Sequence, residues 1–200
     1  MSLPQNKSDK KWTYADYLTW DDGQRWELFE GVAHLMQGPV GLAPAPSRHH
    51  QELSVRLERQ IDNYLRGKPC MLYHAPFDVR LAEMQESSDN YIETVVQPDI
   101  VVVCDKAKLD EKGCNGAPDL VIEIISPSTA KVDLTVKFDL YQKYGVKEYW
   151  IVHPVENTVM VFKLQTDGRY GVPDRYGDDG KIPVPLLGDL IIDLADLFAE

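Results

Sequence analysis

The stretch Val95–Tyr141, VVQPDIVVVCDKAKLDEKGCNGAPDLVIEIISPSTAKVDLTVKFDLY, contains two runs rich in valine and isoleucine, each carrying an acid. Asp99 stands at the mouth of the first run and Glu123 in the middle of the second. An ionised carboxylate among apolar side chains is costly unless a cation or hydrogen-bond donors compensate it. Both runs are apolar on both faces, the pattern of central strands covered on each side. Side chains two apart share a face of a strand, so Asp99 goes with Val101 and Val103, and Glu123 with Val121 and Ile125. If the strands are neighbours, the two acids converge, and they repel each other unless a divalent cation sits between them. Oxygen-only ligation suits Mg²⁺, which keeps several waters and accepts one or two protein carboxylates. Such an ion lowers the pKa of bound water and neutralises charge on a phosphoryl group.

The sequence supplies its own control. Pro-Asp occurs at 98–99, 118–119 and 173–174, and the pair is a common turn former, so alone it says little. Asp119 can simply open its strand, and Asp174 lies in a stretch of turn composition. Glu123 has no turn beside it and calls for a functional explanation. Downstream, Asp133, Lys137 and Tyr141 fall at i, i+4 and i+8 on an expected helix, a polar line beside an apolar stripe. Lys137 is either a cation that orients water or stabilises charge on a phosphoryl group, or half of an ordinary surface ion pair. Lys131 and Lys143 are expected in solvent.

Outward from this stretch, Thr13 followed by Asp16 reads as a capping box opening a short helix through TYADYL. Trp26–Met36, WELFEGVAHLM, alternates around Glu30-Gly31 as a hairpin. Ser47 caps a helix with Leu53, Leu57, Ile61 and Leu65 on one stripe and Gly67 as its stop. Residues 70–81 read as one strand, with Phe77, Val79 and Leu81 on one side and Asp78 and Arg80 on the other. Ser128 is expected to cap a helix over 129–144 that buries Val132, Val136, Leu140 and Tyr144 and stops at Gly145. EYWIVH at 148–153 turns at Glu156-Asn157 into TVMVFKL, and Asp193 caps a last short helix. Strands and helices mixed in this order predict a mixed sheet with helices on its faces. A tail over 1–12 and one domain over 13–200 are the expected organisation.

Composition narrows the classes. Two hundred residues, 44% hydrophobic and 26% charged, suit one domain with a real core. No apolar run approaches the roughly 18–20 residues that span a bilayer, and MSLPQNKSDKKW lacks the apolar middle of a secretory signal, so a cytoplasmic protein with no membrane partner is expected. Cys70, Cys104 and Cys114 are odd in number without C-x-x-C spacing, which argues against a disulfide framework and a structural zinc site. The net charge of −11 shows no overall basic footprint, so contact with nucleic acid must rest on a local patch such as Arg48, Arg56, Arg59 and Arg66.

The runs PDIVVVCD and GAPDLVIEIISPST, the helix bearing Lys137 and Tyr141, and GVKEYWIVHP together resemble the Uma-two family of restriction endonucleases. The likeness extends back through WELFEGVAHLM and Pro-Ser-Arg-His-His and forward to LADLF. That family is placed in the PD-(D/E)XK nuclease superfamily, so the resemblance implies an α/β (mixed α+β), restriction-endonuclease-like sheet flanked by helices, and a metal-dependent phosphodiesterase. It puts Asp99 at the motif's Asp and Glu123 at its acidic position. Ile125 stands where the motif's lysine would, two residues past Glu123, and the next helix supplies Lys137 instead. Glu27 or Glu30 would add a carboxylate, although Glu30-Gly31 has a turn explanation. His50, at the amino end of its helix, would bind a phosphate with the free amides or only hydrogen-bond the preceding loop.

Other chemistries find no support. Ser126 has no G-x-S-x-G elbow, GDDGK is no P-loop, DRYGDDGKI lacks the positions of a calcium loop, and the five histidines show no ligand spacing. The expectation is a Mg²⁺-dependent DNA endonuclease, with Mn²⁺ as a substitute metal and a homodimer for cutting both strands. Asp99 and Glu123 would bind the metal and Lys137 would act on water. The alternative is a catalytically inactive nuclease-fold module that binds DNA or protein.

Overall fold

The computed structural model describes residues 10–36, 46–82, 88–127 and 129–199. The proline-rich stretch at 37–45, the loop at 83–87, most of the expected tail and the cap assigned to Ser128 lie outside the described residues.

In chain order the strands are β1 (Trp26–Phe29), β2 (Val32–Leu35), β3 (Met71–His74), β4 (Val79–Leu81), β5 (Thr94–Val96), β6 (Ile100–Val103) and β7 (Leu109–Asp110). They continue with β8 (Gly113–Asn115), β9 (Leu120–Ile124), β10 (Glu148–His153), β11 (Thr158–Lys163), β12 (Asp174–Tyr176), β13 (Lys181–Val184) and β14 (Leu190–Asp193). Helices are α1 (Tyr14–Tyr17), α2 (Arg48–Leu65), α3 (Ala130–Val132), α4 (Phe138–Tyr144) and α5 (Leu194–Leu197), with a π-helical turn, Asp133–Lys137, joining α3 to α4. One sheet runs β2-β1-β5-β4-β8-β7, the other β12-β11-β10-β9-β6-β3, and β13-β14 form a hairpin. The second sheet is mixed: β9 and β10 are parallel, and its other pairs antiparallel. No helix of the described residues is long and apolar enough to cross a membrane.

Local signals fix many boundaries. Thr13 and Asp16 form the expected capping box of α1, and Ser47 accepts the His50 N–H at the start of α2. The β1–β2 turn carries Glu30 at φ 51° and Gly31 at φ 84°, the doubly left-handed geometry that suits a two-residue hairpin. Gly145, at φ 84°, ends α4. Asp193 caps α5 through two N–H groups.

The mixed sheet sits between two apolar layers. Leu53, Leu57, Ile61 and Leu65 of α2 pack with Ile100, Val102, Leu120 and Ile122, while Val101, Val103 and Val121 face Leu140 and Tyr141 of α4. The other sheet contributes Phe29, Val79, Leu81 and Val96 to this second layer. Its opposite face packs Leu28 and Val95 against Tyr14.

Three expectations change. Residues 70–81 form two strands in different sheets, because a turn at Ala75-Pro76 breaks the run. Arg80, placed on the polar side by alternation, is 2% exposed: it lies over the Tyr14 ring and reaches Asp110 at 2.6 Å. Cys70 and Cys104 form a disulfide, because the antiparallel β3–β6 register that opposes Met71 and Val103 makes them the next opposed pair. A single cross-strand bridge leaves no trace in cysteine spacing.

Candidate active site

Strands β6 and β9 are antiparallel neighbours with Ile100 opposite Ile122 and Val101 opposite Val121. The same register sets Asp99 opposite Glu123, and directly opposed residues share a face. Asp99 Oδ2 accepts the Ile124 N–H at 2.8 Å, and the Asp99 N–H points at Glu123 Oε2 at 3.4 Å. The Asp99 carboxylate is thus tied to the backbone one residue past Glu123, and Glu123 faces the Asp99 N–H, which holds the two acids side by side.

The helix after β9 supplies the cation. Lys137 Nζ lies 2.9 Å from Glu123 Oε1, 3.0 Å from Glu27 Oε1 and 3.7 Å from Asp133 Oδ1. Tyr141 donates its hydroxyl to Glu123 Oε1 at 2.9 Å. The π-helical turn spans Asp133–Lys137, a geometry common where a helix serves a site. It turns the polar line of Asp133, Lys137 and Tyr141 into the protein. Val136, expected on the buried stripe, is 39% exposed instead, while Leu140 is buried and Val132 and Tyr144 pack against the same layer.

Glu27 arrives from the other sheet. Alternation along β1 puts it on the face of Phe29, which packs into the layer beneath α4. Its Oε1 also accepts the Gln97 N–H at 2.8 Å. His50, in the first turn of α2, places Nε2 3.3 Å from Asp99 Oδ1. Glu30 is not brought to the cluster: it sits at the hairpin turn, 58% exposed, paired with Lys143 at 2.7 Å. Asp119 likewise serves the fold, accepting the Cys104 N–H at 2.7 Å and pairing with Lys147 at 2.6 Å. Asp133 is the site carboxylate for which sequence reasoning assigned no role of its own; its i,i+4 spacing to Lys137 is the available signal, equally readable as a surface pair.

Electrostatics follow from three carboxylates around one lysine, with Asp99 beside Glu123. Burial pushes Glu123 well above the ordinary carboxylate range; Lys137 pulls it back, and Asp133, Asp99 and Glu27 push it further. Asp133 is raised by the same burial, against the pull of Lys137. For Lys137 burial opposes the charged form, but Glu123, Glu27 and Asp133 together outweigh it and hold the ammonium well above its usual value. Burial, with Glu123 beside it, keeps Tyr141 protonated and a donor.

Among the described residues no group of three or more His, Cys, Asp or Glu has the geometry to hold a metal ion. A site built on three protein ligands therefore does not fit. A cation retaining most of its waters does, because the cluster is short of positive charge and Glu123 Oε2 has only a long backbone contact. The Asp99 side chain is 24% exposed, against 5% for Glu123, so the solvent side of the pair is at Asp99.

This architecture has already been seen in a crystal. The structure of a "putative nuclease belonging to DUF820" from Anabaena variabilis ATCC 29413 matches with a TM-score of 0.70, covering 94% of this chain and 97% of that one at 21% identity. The chain belongs to the Uma2 family, described as "Putative restriction endonuclease", whose model matches residues 14–195. A curated relative, "Uncharacterized protein slr1290" of Synechocystis sp. (strain ATCC 27184 / PCC 6803 / Kazusa), is 29% identical over 167 residues, 82% of this chain and 80% of that protein.

Proposed function

We propose that the protein is a metal-dependent DNA endonuclease whose divalent ion, Mg²⁺ or in its place Mn²⁺, is held by Asp99 and Glu123. The carrying observation is the opposition of these two carboxylates across β6 and β9, with Lys137 2.9 Å from Glu123. Membership of the restriction-endonuclease family and the nuclease fold support a nucleic-acid substrate. When bound, the metal supplies an acidified water and charge neutralisation at the scissile phosphate.

The chain's own groups do the positioning. Asp99, at the exposed rim, meets the substrate side, while Glu123 is fixed from behind by Lys137 and Tyr141. Lys137 offers its remaining ammonium hydrogen and its charge to a water or a phosphoryl oxygen next to Glu123. Glu27 and Asp133 keep that ammonium in place. His50 stands at the Asp99 side of the cluster, in the first turn of an 18-residue helix whose free amides favour an anion.

The test is cleavage of supercoiled plasmid, linear duplex and single-stranded DNA with Mg²⁺, Mn²⁺ or chelator, beside Asp99→Asn, Glu123→Gln and Lys137→Met. We expect metal-dependent cutting that falls by about 10² or more in each variant. Equal cutting by all four proteins would expose a contaminant and overturn the assignment. Metal and DNA binding with no cutting would establish the inactive nuclease-fold module instead. Light scattering with and without DNA tests for the second copy that cutting both strands calls for.

A further inference from the structure

Behind the candidate active site lies a second polar cluster on the opposite face of the first sheet, centred on Gln97, which is 7% exposed. Its amide uses both ends. Oε1 accepts from Arg25 Nη2 at 2.8 Å and Nε at 3.0 Å. Nε2 donates to Asp78 Oδ1 at 2.8 Å and to the Tyr17 hydroxyl at 3.2 Å. Asp78 in turn accepts from Tyr14 at 3.0 Å and Tyr17 at 3.3 Å. A buried amide bonded at both ends has one orientation available to it.

The backbone of the same residue serves the other face. The Gln97 N–H donates to Glu27 Oε1, the oxygen that also meets Lys137 at 3.0 Å. Only Pro98 separates Gln97 from Asp99. One residue therefore links the Arg25–Asp78–Tyr17 clamp to both the carboxylate steadying Lys137 and the strand entry bearing Asp99.

We propose that Gln97 is a positioning residue: its clamped amide sets the backbone N–H that aims Glu27 at Lys137 and fixes the approach to Asp99. Its effect on turnover rests on the nuclease reading above; its effect on Lys137 does not. Partners one layer behind a site typically change activity by about 10- to 100-fold when removed.

An amide–acid exchange tests this. Gln97→Glu puts a second carboxylate 2.8 Å from Asp78, and like charges there push the side chain out of its clamp. Adding Asp78→Asn restores a donor opposite an acceptor at unchanged total charge. Two readouts are taken on folded protein, with melting curves as control: kcat and KM for plasmid cleavage, and the Nζ resonance of Lys137 in lysine-labelled protein, assigned by Lys137→Arg. Gln97→Glu is expected to lower kcat about tenfold or more with KM within about twofold and to shift or broaden the Nζ signal. The double variant is expected to recover both.

A folded Gln97→Glu protein with unchanged kcat and Nζ signal, or a double variant with no recovery, overturns the proposal. If wild type cuts no DNA, the nuclease reading fails and the Nζ signal alone decides on Gln97. Should Gln97→Glu not fold, Arg25→Met at a half-buried position releases the same amide and is held to the same readouts.

Discussion

Replacing Lys137 by methionine keeps the approximate volume of the side chain and removes the cation that pairs with Glu27, Glu123 and Asp133. At an effective dielectric near 20, each of the two contacts of about 3 Å represents roughly 5 kcal/mol of gross attraction. Desolvation of the ammonium cancels much of that, yet the carboxylates stay buried when the lysine goes, and orphaning buried charges costs about 3–5 kcal/mol net. For a chain of this size each kcal/mol moves the melting temperature by about 2–4 °C, so Lys137→Met is expected to melt roughly 6–20 °C below wild type. Acid should narrow the gap. Glu123 and Asp133 already sit above their ordinary pKa values, and loss of the lysine raises them further. A carboxyl raised in the folded state contributes stability at low pH that is lost as pH rises through its folded value. The deficit should therefore be largest at pH 7–8 and shrink toward pH 5, and adding Glu27→Gln, which deletes one orphaned charge, should recover part of it. Circular-dichroism melts of the three proteins at pH 5, 6, 7 and 8 measure this. A Lys137→Met protein melting within 2 °C of wild type at every pH would refute the buried ion cluster.

Three further outcomes are expected. Asp119→Ala should cost about 1.5–3 kcal/mol in urea denaturation, because it orphans the Cys104 N–H and the Lys147 charge, while leaving metal affinity within twofold of wild type by calorimetry. Gly113→Ala should cost about 3 kcal/mol or fail to fold, since its Cβ would fall 2.2 Å from the Asp78 carbonyl oxygen at φ +125°; a melting point equal to wild type would contradict the close β4–β8 approach. Burial raises Glu148 above its ordinary 4.5 even though the Trp150 N–H it accepts pulls the other way. Its stabilising contribution is present below pH 4.5 and is lost as pH rises through the folded value. Glu148→Gln keeps an acceptor for Trp150 and removes that loss, so its stability relative to wild type should rise between pH 4.5 and 7 in urea titrations.

Much of the site was legible because it obeys short-range rules. The period of two placed Asp99 with Val101 and Glu123 with Val121, and the period of about four lined up Asp133, Lys137 and Tyr141. The caps at Thr13 and Ser47, the hairpin turn at Glu30-Gly31 and the helix stop at Gly145 follow from local backbone chemistry. Of the apolar stripe expected over 129–144, Leu140 is buried and Val132 and Tyr144 pack against the same layer, but Val136 is exposed, because hydrophobic periodicity assumes regular winding and Val136 lies in the π-helical turn.

What the sequence settled by itself was which residues could share a face, since side-chain direction along a strand or helix needs no distant partner. Which faces meet was decided by tertiary structure. The β6–β9 register that opposes Asp99 to Glu123, the first sheet that carries Glu27 to Lys137 across more than a hundred residues, and the pairing of Cys70 with Cys104 depend on contacts between distant segments. Those contacts leave no local period, because their geometry is set by how whole layers pack over one core.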